Sequence, residues 1–471
     1  MQTFRRFEKR LTEVYVYPEI CKYQDAVEDP REYMTFLDRD APPNGFMIYV
    51  HIPYCETLCY FCNYHKVALR KDGYEERRQL FDRYVVEIEA YARRQYLAGR
   101  PLRAVQFGGG TPAAVEPEFI AQILDAVRRS FNCQLEVVTL EGTVTTFTDR
   151  AKLRALKDMG VERLSFGVQT LNERIRKKLR LSATVGDVYT AVETINAVGF
   201  SDYSHDLMFN LPDQTMDDVE RDVRTADRDI RPTYIDCYNL NVMPNTMFSE
   251  ALQKKDYAAD APSDEKEIRM MRRIFGLMKE LHYRQVMSNV FSKTREGPVA
   301  TLRMELDGSE SIGIGPSSRG YVCGRGYRNV PDIKEYIEKV DRSGFSVLAG
   351  NVATEEEQDD RQLVMLGNFG SVRKAAVRGL ERWRPQIDFL IREGYAVDDG
   401  EYLRLTEEAL LWPGNVSELF FSAKQRTRRT RSMLSALKNR ENPYNQDHLG
   451  VSARLYRKPP AAAAAVPAQP S

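Results

Sequence analysis

Phe46-Met47-Ile48-Tyr49-Val50-His51-Ile52-Pro53-Tyr54-Cys55-Glu56-Thr57-Leu58-Cys59-Tyr60-Phe61-Cys62 is the stretch on which the reading of this chain turns. Its first seven residues are β-branched, aromatic or otherwise apolar and predict a buried strand. Pro53 ends the strand, and three cysteines follow within eight residues at Cys-x3-Cys-x2-Cys spacing. Downstream, short apolar runs recur at Ala104–Gly108, Leu135–Glu141, Arg163–Val168, Tyr203–Phe209 and Tyr234–Val242. Amphipathic segments separate them at Arg77–Gln95, Pro117–Phe131, Thr148–Met159, Val185–Val198 and Gln214–Asp227. Pro117 suits a first helical turn and Gly160 a helix stop. Six strand–helix alternations predict parallel βαβ units with right-handed crossovers. Six are fewer than a closed eight-fold barrel needs, so the expected α/β fold is an incomplete (β/α)6 barrel with its chemistry at the carboxyl ends of the strands.

The expected organisation is an N-terminal arm at 1–45, a partial barrel at 46–250, a barrel extension lining the pocket at 251–350 and a small α+β winged-helix-like module at 351–422. The last expectation rests on helices followed by a hairpin at Tyr395–Leu405 around Asp398-Asp399-Gly400-Glu401. Residues 423–471 read as a basic and then Ala/Pro-rich tail with the composition of a disordered segment. The 471 residues carry 68 Lys+Arg against 68 Asp+Glu, a balance that argues against a nucleic-acid binder. There is no run of ~18 apolar residues to cross a membrane, and the N-terminus lacks an apolar signal core. A cytoplasmic protein is expected. In that compartment cysteines are metal ligands or small packing residues rather than disulfides.

The three clustered cysteines point to an iron–sulfur cluster, which prefers soft thiolates. Three ligands for four irons leave one iron open to chelate the amino and carboxylate groups of S-adenosylmethionine (SAM). The competing reading is a zinc site with His65 as fourth ligand. Cys21, Cys133, Cys237 and Cys323 are expected to be packing residues. A second signal, Gly108-Gly109-Gly110-Thr111-Pro112, follows the second strand and is expected to bring backbone amides close to a ligand. Glu141, Gln169 and Asp206 occupy later strand ends. Ile312–Tyr321 reads either as a Gly/Pro turn between two strands or as a pocket-lining loop.

Together, Tyr49–Cys55, Phe61-Cys62, Gly108–Pro112, Arg163–Gln169, Asp206–Thr215 and Gly313–Ser317 resemble the oxygen-independent coproporphyrinogen oxidase-like (HemN-like) family of radical SAM enzymes. The resemblance covers roughly 46–422. It implies a [4Fe–4S] cluster on Cys55, Cys59 and Cys62, a first SAM contacted by Tyr49, Gly109, Gly110, Thr111, Glu141, Gln169 and Asp206, and a second SAM near Phe61, Met208, Asn241 and Ile314. It assigns no catalytic side chain beyond these. It implies a small-molecule substrate and an electron donor such as flavodoxin or ferredoxin. Two departures stand out: Leu181, beside Arg180, occupies a place where the family has an arginine, and Tyr64 replaces the further cysteine of the coproporphyrinogen oxidases. Leu181 leaves that arginine's role without a counterpart, and Tyr64 counts against porphyrinogen decarboxylation. The branch expected is the one that performs C-methylation and cyclopropanation in natural-product biosynthesis, delivering one carbon from the second SAM to an sp2 carbon, with a partner methyltransferase as a further expectation. The alternatives are an anaerobic tetrapyrrole enzyme, porphyrinogen-oxidising or haem-degrading, and a non-catalytic haem chaperone.

Overall fold

The computed structural model describes residues 25–438 apart from 60, 63, 241–247, 249–261, 296–300, 302–303 and 305–308, with Phe7, Leu11, Tyr17, Pro18 and Ile20 from the arm and only the backbone of 431–438. Six strands lie side by side in chain order, all parallel: β1 (Phe46–Ile52), β2 (Pro101–Gly109), β3 (Asn132–Thr143), β4 (Arg163–Gln169), β5 (Asp202–Phe209) and β6 (Tyr234–Asn239). The crossovers carry α1 (Tyr74–Ala92), α2 (Pro117–Ser130), α3 (Arg150–Asp158), α4 (Glu173–Lys178), α5 (Val185–Val198) and α6 (Met216–Thr225). Pro117 stands in the first turn of α2 as expected. Capping boxes at Thr184/Asp187 and Thr215/Asp218 start α5 and α6 by satisfying amides that have no partner within the helix.

The sheet extends beyond the six strands. On one side β6 pairs antiparallel with β8 (Val290–Ser292), which pairs with the two-residue β7 (Arg284–Gln285). On the other side β9 (Glu310–Ile314) runs parallel to β1, so the parallel core has seven strands. Then β10 (Arg319–Val322), β11 (Arg325–Asn329) and β12 (Val347–Val352) follow antiparallel, for twelve strands in all. Of the two readings of Ile312–Tyr321, the turn between two strands is the one formed. Gly313 is required there, because a Cβ would lie 2.4 Å from the Arg319 carbonyl oxygen of the returning strand. A buried ion pair anchors β9, with Arg100 Nη1 2.7 Å from Glu310 Oε2.

Alternation sorts the parallel strands into two faces. Ile48, Val50 and Ile52, Val105 and Phe107, Val138 and Leu140, Leu164 and Phe166, and Leu207 and Phe209 are buried in one continuous core with the helices. The opposite face is polar and only half-buried: Tyr49, Gln106, Glu141, Ser165, Gly167, Asp206 and Asp236. His205 breaks the rule on the apolar side. It is fully buried and neither ring nitrogen has a hydrogen-bond partner, so burial holds its pKa down at about 4 and keeps it neutral.

Glu87 of α1 joins the helix layer to the β9–β10 turn. Buried completely, it accepts hydrogen bonds from Gly315 N (2.9 Å), Asn329 Nδ2 (2.8 Å) and Tyr336 Oη (2.7 Å). Burial raises its pKa from 4.5 to about 7 despite these donors. The folded chain therefore keeps a proton that the unfolded chain releases, and Glu87's contribution to stability falls as pH rises from about 4.5 to about 7. The swing is on the order of 3 kcal/mol. Glu87→Gln is expected to lose that component. The melting temperature of the variant relative to wild type should climb between pH 5 and pH 7.5, and a constant difference would refute the assignment.

The C-terminal elements form a three-stranded sheet of Ser371–Arg373, Tyr402–Leu405 and Ala396–Asp398 with helices at Glu355–Val364, Arg384–Arg392 and Pro413–Leu419, in keeping with the winged-helix-like expectation. The arm packs on both parts of the chain. Phe7 stacks 4.8 Å from Tyr395 and 6.0 Å from Trp412, and Asp25–Val27 bridge antiparallel to Leu348–Gly350. The expectation of a disordered tail from 423 is corrected in its first part: Ala423–Lys438 is helical. Of its described basic side chains, Arg428 pairs with Asp25, Lys424 with Glu357, and Arg429 sits over Phe421, so these do not form a self-repelling block. Residues 439–471 and Cys21 lie outside the described residues. Among the described residues no helix is long and apolar enough to cross a membrane.

Candidate functional site: a cysteine loop over a polar sheet face

The cysteines leave β1 on a loop that closes on itself. Tyr54-Cys55 pairs parallel with Val67-Ala68, and Cys62 N donates to Cys59 O at 3.3 Å. The glycine loop after β2 clasps this segment. Gly110 N donates to Ile52 O (2.9 Å), Thr111 N to Tyr54 O (2.7 Å) and Thr111 Oγ1 to Cys55 Sγ (3.3 Å). The amides expected to face a ligand are thus spent on holding the cysteine loop. Gly109 N–H likewise donates to the Glu141 carboxylate.

All three cysteines are free thiols. Burial, joined by the neighbouring thiols, pushes Cys55 up to about 11 and Cys59 up to about 12. Three soft donors on one short loop, two of them kept from ionising by burial, suit a cationic iron–sulfur core. Among the described residues no three His, Cys, Asp or Glu side chains, these cysteines included, are gathered round a point that could hold a single metal ion. His65 is buried, its ring 6.3 Å from that of His51. Cys237 is buried, and Cys133 and Cys323 are half-buried against the core.

The polar face lies beside this loop. Glu141 accepts from Gln106 Nε2 at 3.0 Å, and burial raises its pKa. Asp206 and Asp236 are register partners on β5 and β6; burial raises both, and the neighbouring Asp236 and Glu141 carboxylates raise Asp206 further. Arg163 lies near them but is paired with Asp202 at 2.7 Å and sits over Tyr234. Gln169 ends β4 in the left-handed region at φ 68°, beside a register shift. Its side chain folds back over Gly167, where a Cβ would lie 2.0 Å from Gln169 Nε2. Such backbone strain clusters at binding sites and costs about 1–3 kcal/mol. Tyr49 lies on the same face, in register with Gln106. Tyr64 is 58% exposed, within electrostatic reach of Glu141, Asp206 and Arg319.

Phe61 and Met208 meet in an apolar cluster with Leu181, Ile175, Leu179, Leu211, Leu240 and Phe248. Asn241 lies outside the described residues. Ile314 is not brought to them. It pairs with Val50 on the apolar side and is fully buried there, so only its backbone could reach a ligand. The sequence reading missed Asp236, although alternation in parallel register from Asp206 would have marked it. It also missed Arg176, which is buried and donates to Val168 O, Thr170 O and Ala183 O, fixing the turn beyond Gln169.

A family model described as the radical SAM superfamily matches residues 49–226. The haem chaperone HemW of Bacillus subtilis is 28% identical over 320 residues, covering 67% of this chain and 82% of its own. Anaerobilin synthase of Escherichia coli O157:H7 is 27% identical over 395 residues, covering 82% and 85%. The oxygen-independent coproporphyrinogen III oxidase of Escherichia coli K12 is 24% identical over 375 residues, covering 75% and 80%. Among solved structures, coproporphyrinogen III oxidase (HemN) from Escherichia coli superposes with a TM-score of 0.72 at 20% identity, over 87% of this chain and 96% of that one, a likeness of fold.

Proposed function

This chain belongs to the radical SAM superfamily, in its oxygen-independent coproporphyrinogen oxidase-like family, and from that premise we propose that it is a radical SAM enzyme acting on a tetrapyrrole. One observation carries the substrate class: relatives spanning three quarters or more of the chain are named for tetrapyrrole chemistry. That takes precedence over the expectation of one-carbon transfer.

Cys55, Cys59 and Cys62 would hold a [4Fe–4S] cluster. When bound, the cluster and SAM supply reductive cleavage of a carbon–sulfur bond and a 5′-deoxyadenosyl radical that abstracts hydrogen. The protein's share is positioning. Thr111 orients the Cys55 sulfur, and the Gly108–Pro112 loop fixes the cysteine loop to β2. Glu141, Gln169 and Asp206, with Tyr49, offer acceptors and donors to the amino, carboxylate and hydroxyl groups of SAM. Asp206 and Asp236 resist ionising together, so the pair retains a proton within reach of the polar face. The apolar cluster around Phe61 and Met208 supplies a wall for the ring system of a macrocycle. We place the enzyme in the cytoplasm with a flavodoxin- or ferredoxin-type donor.

A second reading keeps the one-carbon transfer. It rests on Phe61 and Met208 sharing one cluster, where a second SAM would sit. The test is anaerobic: protein reconstituted with iron and sulfide, SAM and dithionite, with haem or coproporphyrinogen III added separately, and 5′-deoxyadenosine quantified by mass spectrometry. A rise that depends on one tetrapyrrole supports the proposal. Haem binding with a shifted Soret band and no 5′-deoxyadenosine would mean a chaperone. Label passing from methyl-labelled SAM to a product would mean the second reading.

A further inference from the structure

The cysteine loop buries a lysine that the site as described does not use. Lys66 is 6% exposed, and its Nζ donates to the Cys62 carbonyl at 2.6 Å. Its charge also reaches Cys55 and Cys59, where it favours the ionised thiol. No salt bridge joins it to a carboxylate among the described residues; Lys152 and Lys157 also donate to carbonyls, but only Lys66 does so at the cysteine loop. Burying an ammonium without a counter-charge is costly, and one carbonyl supplies a hydrogen bond but no charge.

Three thiolates outnumber the two positive charges of an oxidised [4Fe–4S] core, so the bound unit is anionic, and reduction by one electron adds to that charge. We propose that Lys66 is the counter-ion of this unit and a positioning residue for its redox chemistry, stabilising the reduced form and raising its reduction potential. This rests on the reading of Cys55, Cys59 and Cys62 as cluster ligands. The electron comes from dithionite or from a flavodoxin- or ferredoxin-type donor, and no bond is made or broken in the step. Lys66 would thus decide how easily a soluble donor can load the site, a property separate from what substrate is bound.

The test compares wild type, Lys66→Met, Lys66→Gln and Lys66→Arg, each reconstituted without SAM, by redox titration followed by electron paramagnetic resonance. The Met and Gln variants are expected to show a lower midpoint potential than wild type, and the Arg variant one close to it. Gln keeps a donor for the Cys62 carbonyl and so separates charge from hydrogen bonding if Met disturbs the loop. Should Met and Gln hold no iron while Arg does, iron content per chain reports the same need for charge. An unchanged midpoint in Met or Gln with an intact cluster, or loss of iron in all three variants, overturns the proposal. Absence of a four-iron signal from wild type overturns the cluster reading itself, an outcome distinct from the other two.

Discussion

Replacing Cys55, Cys59 or Cys62 by alanine abolishes 5′-deoxyadenosine formation while leaving the fold in place. The two halves of this expectation have separate grounds. Cys59 and Cys62 are half-buried on a loop outside the main core, so their truncation removes little packing. Cys55 is 6% exposed, and the alanine variant also leaves Thr111 Oγ1 without its sulfur acceptor, at a cost of about 1 kcal/mol. Activity is another matter. Changes to the outer partners of metal ligands cost about 10–100-fold, and loss of one ligand of three costs more. Mass spectrometry of the nucleoside alongside circular dichroism checks both halves. Cys133→Ala, whose sulfur donates to the Val127 carbonyl and packs against the core, is the control and should turn over normally. Full activity in any of the three cluster variants would remove the assignment of the site.

The second large effect is a contrast between two glycines. Gly110→Ala places a Cβ 2.7 Å from Tyr54 O and 2.8 Å from the Pro53 carbonyl carbon. These are backbone atoms of the cysteine loop, held by the hydrogen bonds from Gly110 and Thr111, and neither side can yield cheaply. A loss of about 1–3 kcal/mol is expected, with poor retention of iron. Gly167→Ala meets only Gln169 Nε2, the end of a side chain that can swing away. Its melting temperature should stay within a few degrees of wild type while SAM affinity falls about tenfold, the equivalent of one lost hydrogen bond to a charged group. Equilibrium dialysis with SAM, set beside thermal melts, separates the two variants. Wild-type affinity in Gly167→Ala would mean that Gln169 does not contact SAM.

The six parallel strands β1–β6 could be read from the sequence because each is a local pattern: an apolar run, a turn signal and an amphipathic helix. Boundaries drifted at the ends, as at α1, which begins at Tyr74 rather than Arg77, and the six-residue α4 was too short to show a helical period. What escaped depended on pairing across long distances. β9 is five residues with glycine at its centre, and it becomes a strand only because β1 and β10 flank it. Asp236 acquires meaning only from its register with Asp206. Side-chain direction behaved likewise. Ile314 looked like a pocket residue from its glycine-rich neighbourhood, but strand parity turns it to the apolar side. The basic stretch from 424 was misread because its partners, Asp25, Glu357 and Phe421, lie elsewhere in the chain.

Asp25–Val27 occupy the hydrogen-bonding edge of β12, and at the far side of the sheet β7 is two residues long. A twelve-stranded open sheet has two places where a stranger's strand could add itself, and self-association through such edges is a standing hazard for proteins of this build. Here one edge is too short to template anything, and the other is taken by the protein's own arm, held down farther back by Phe7 between Tyr395 and Trp412. The arm thereby covers the edge of β12, a role separate from catalysis. Trimmed of its first 27 residues, the chain could retain its cysteine loop and its polar face and still fail as a soluble reagent, because β12 would recruit the nearest copy.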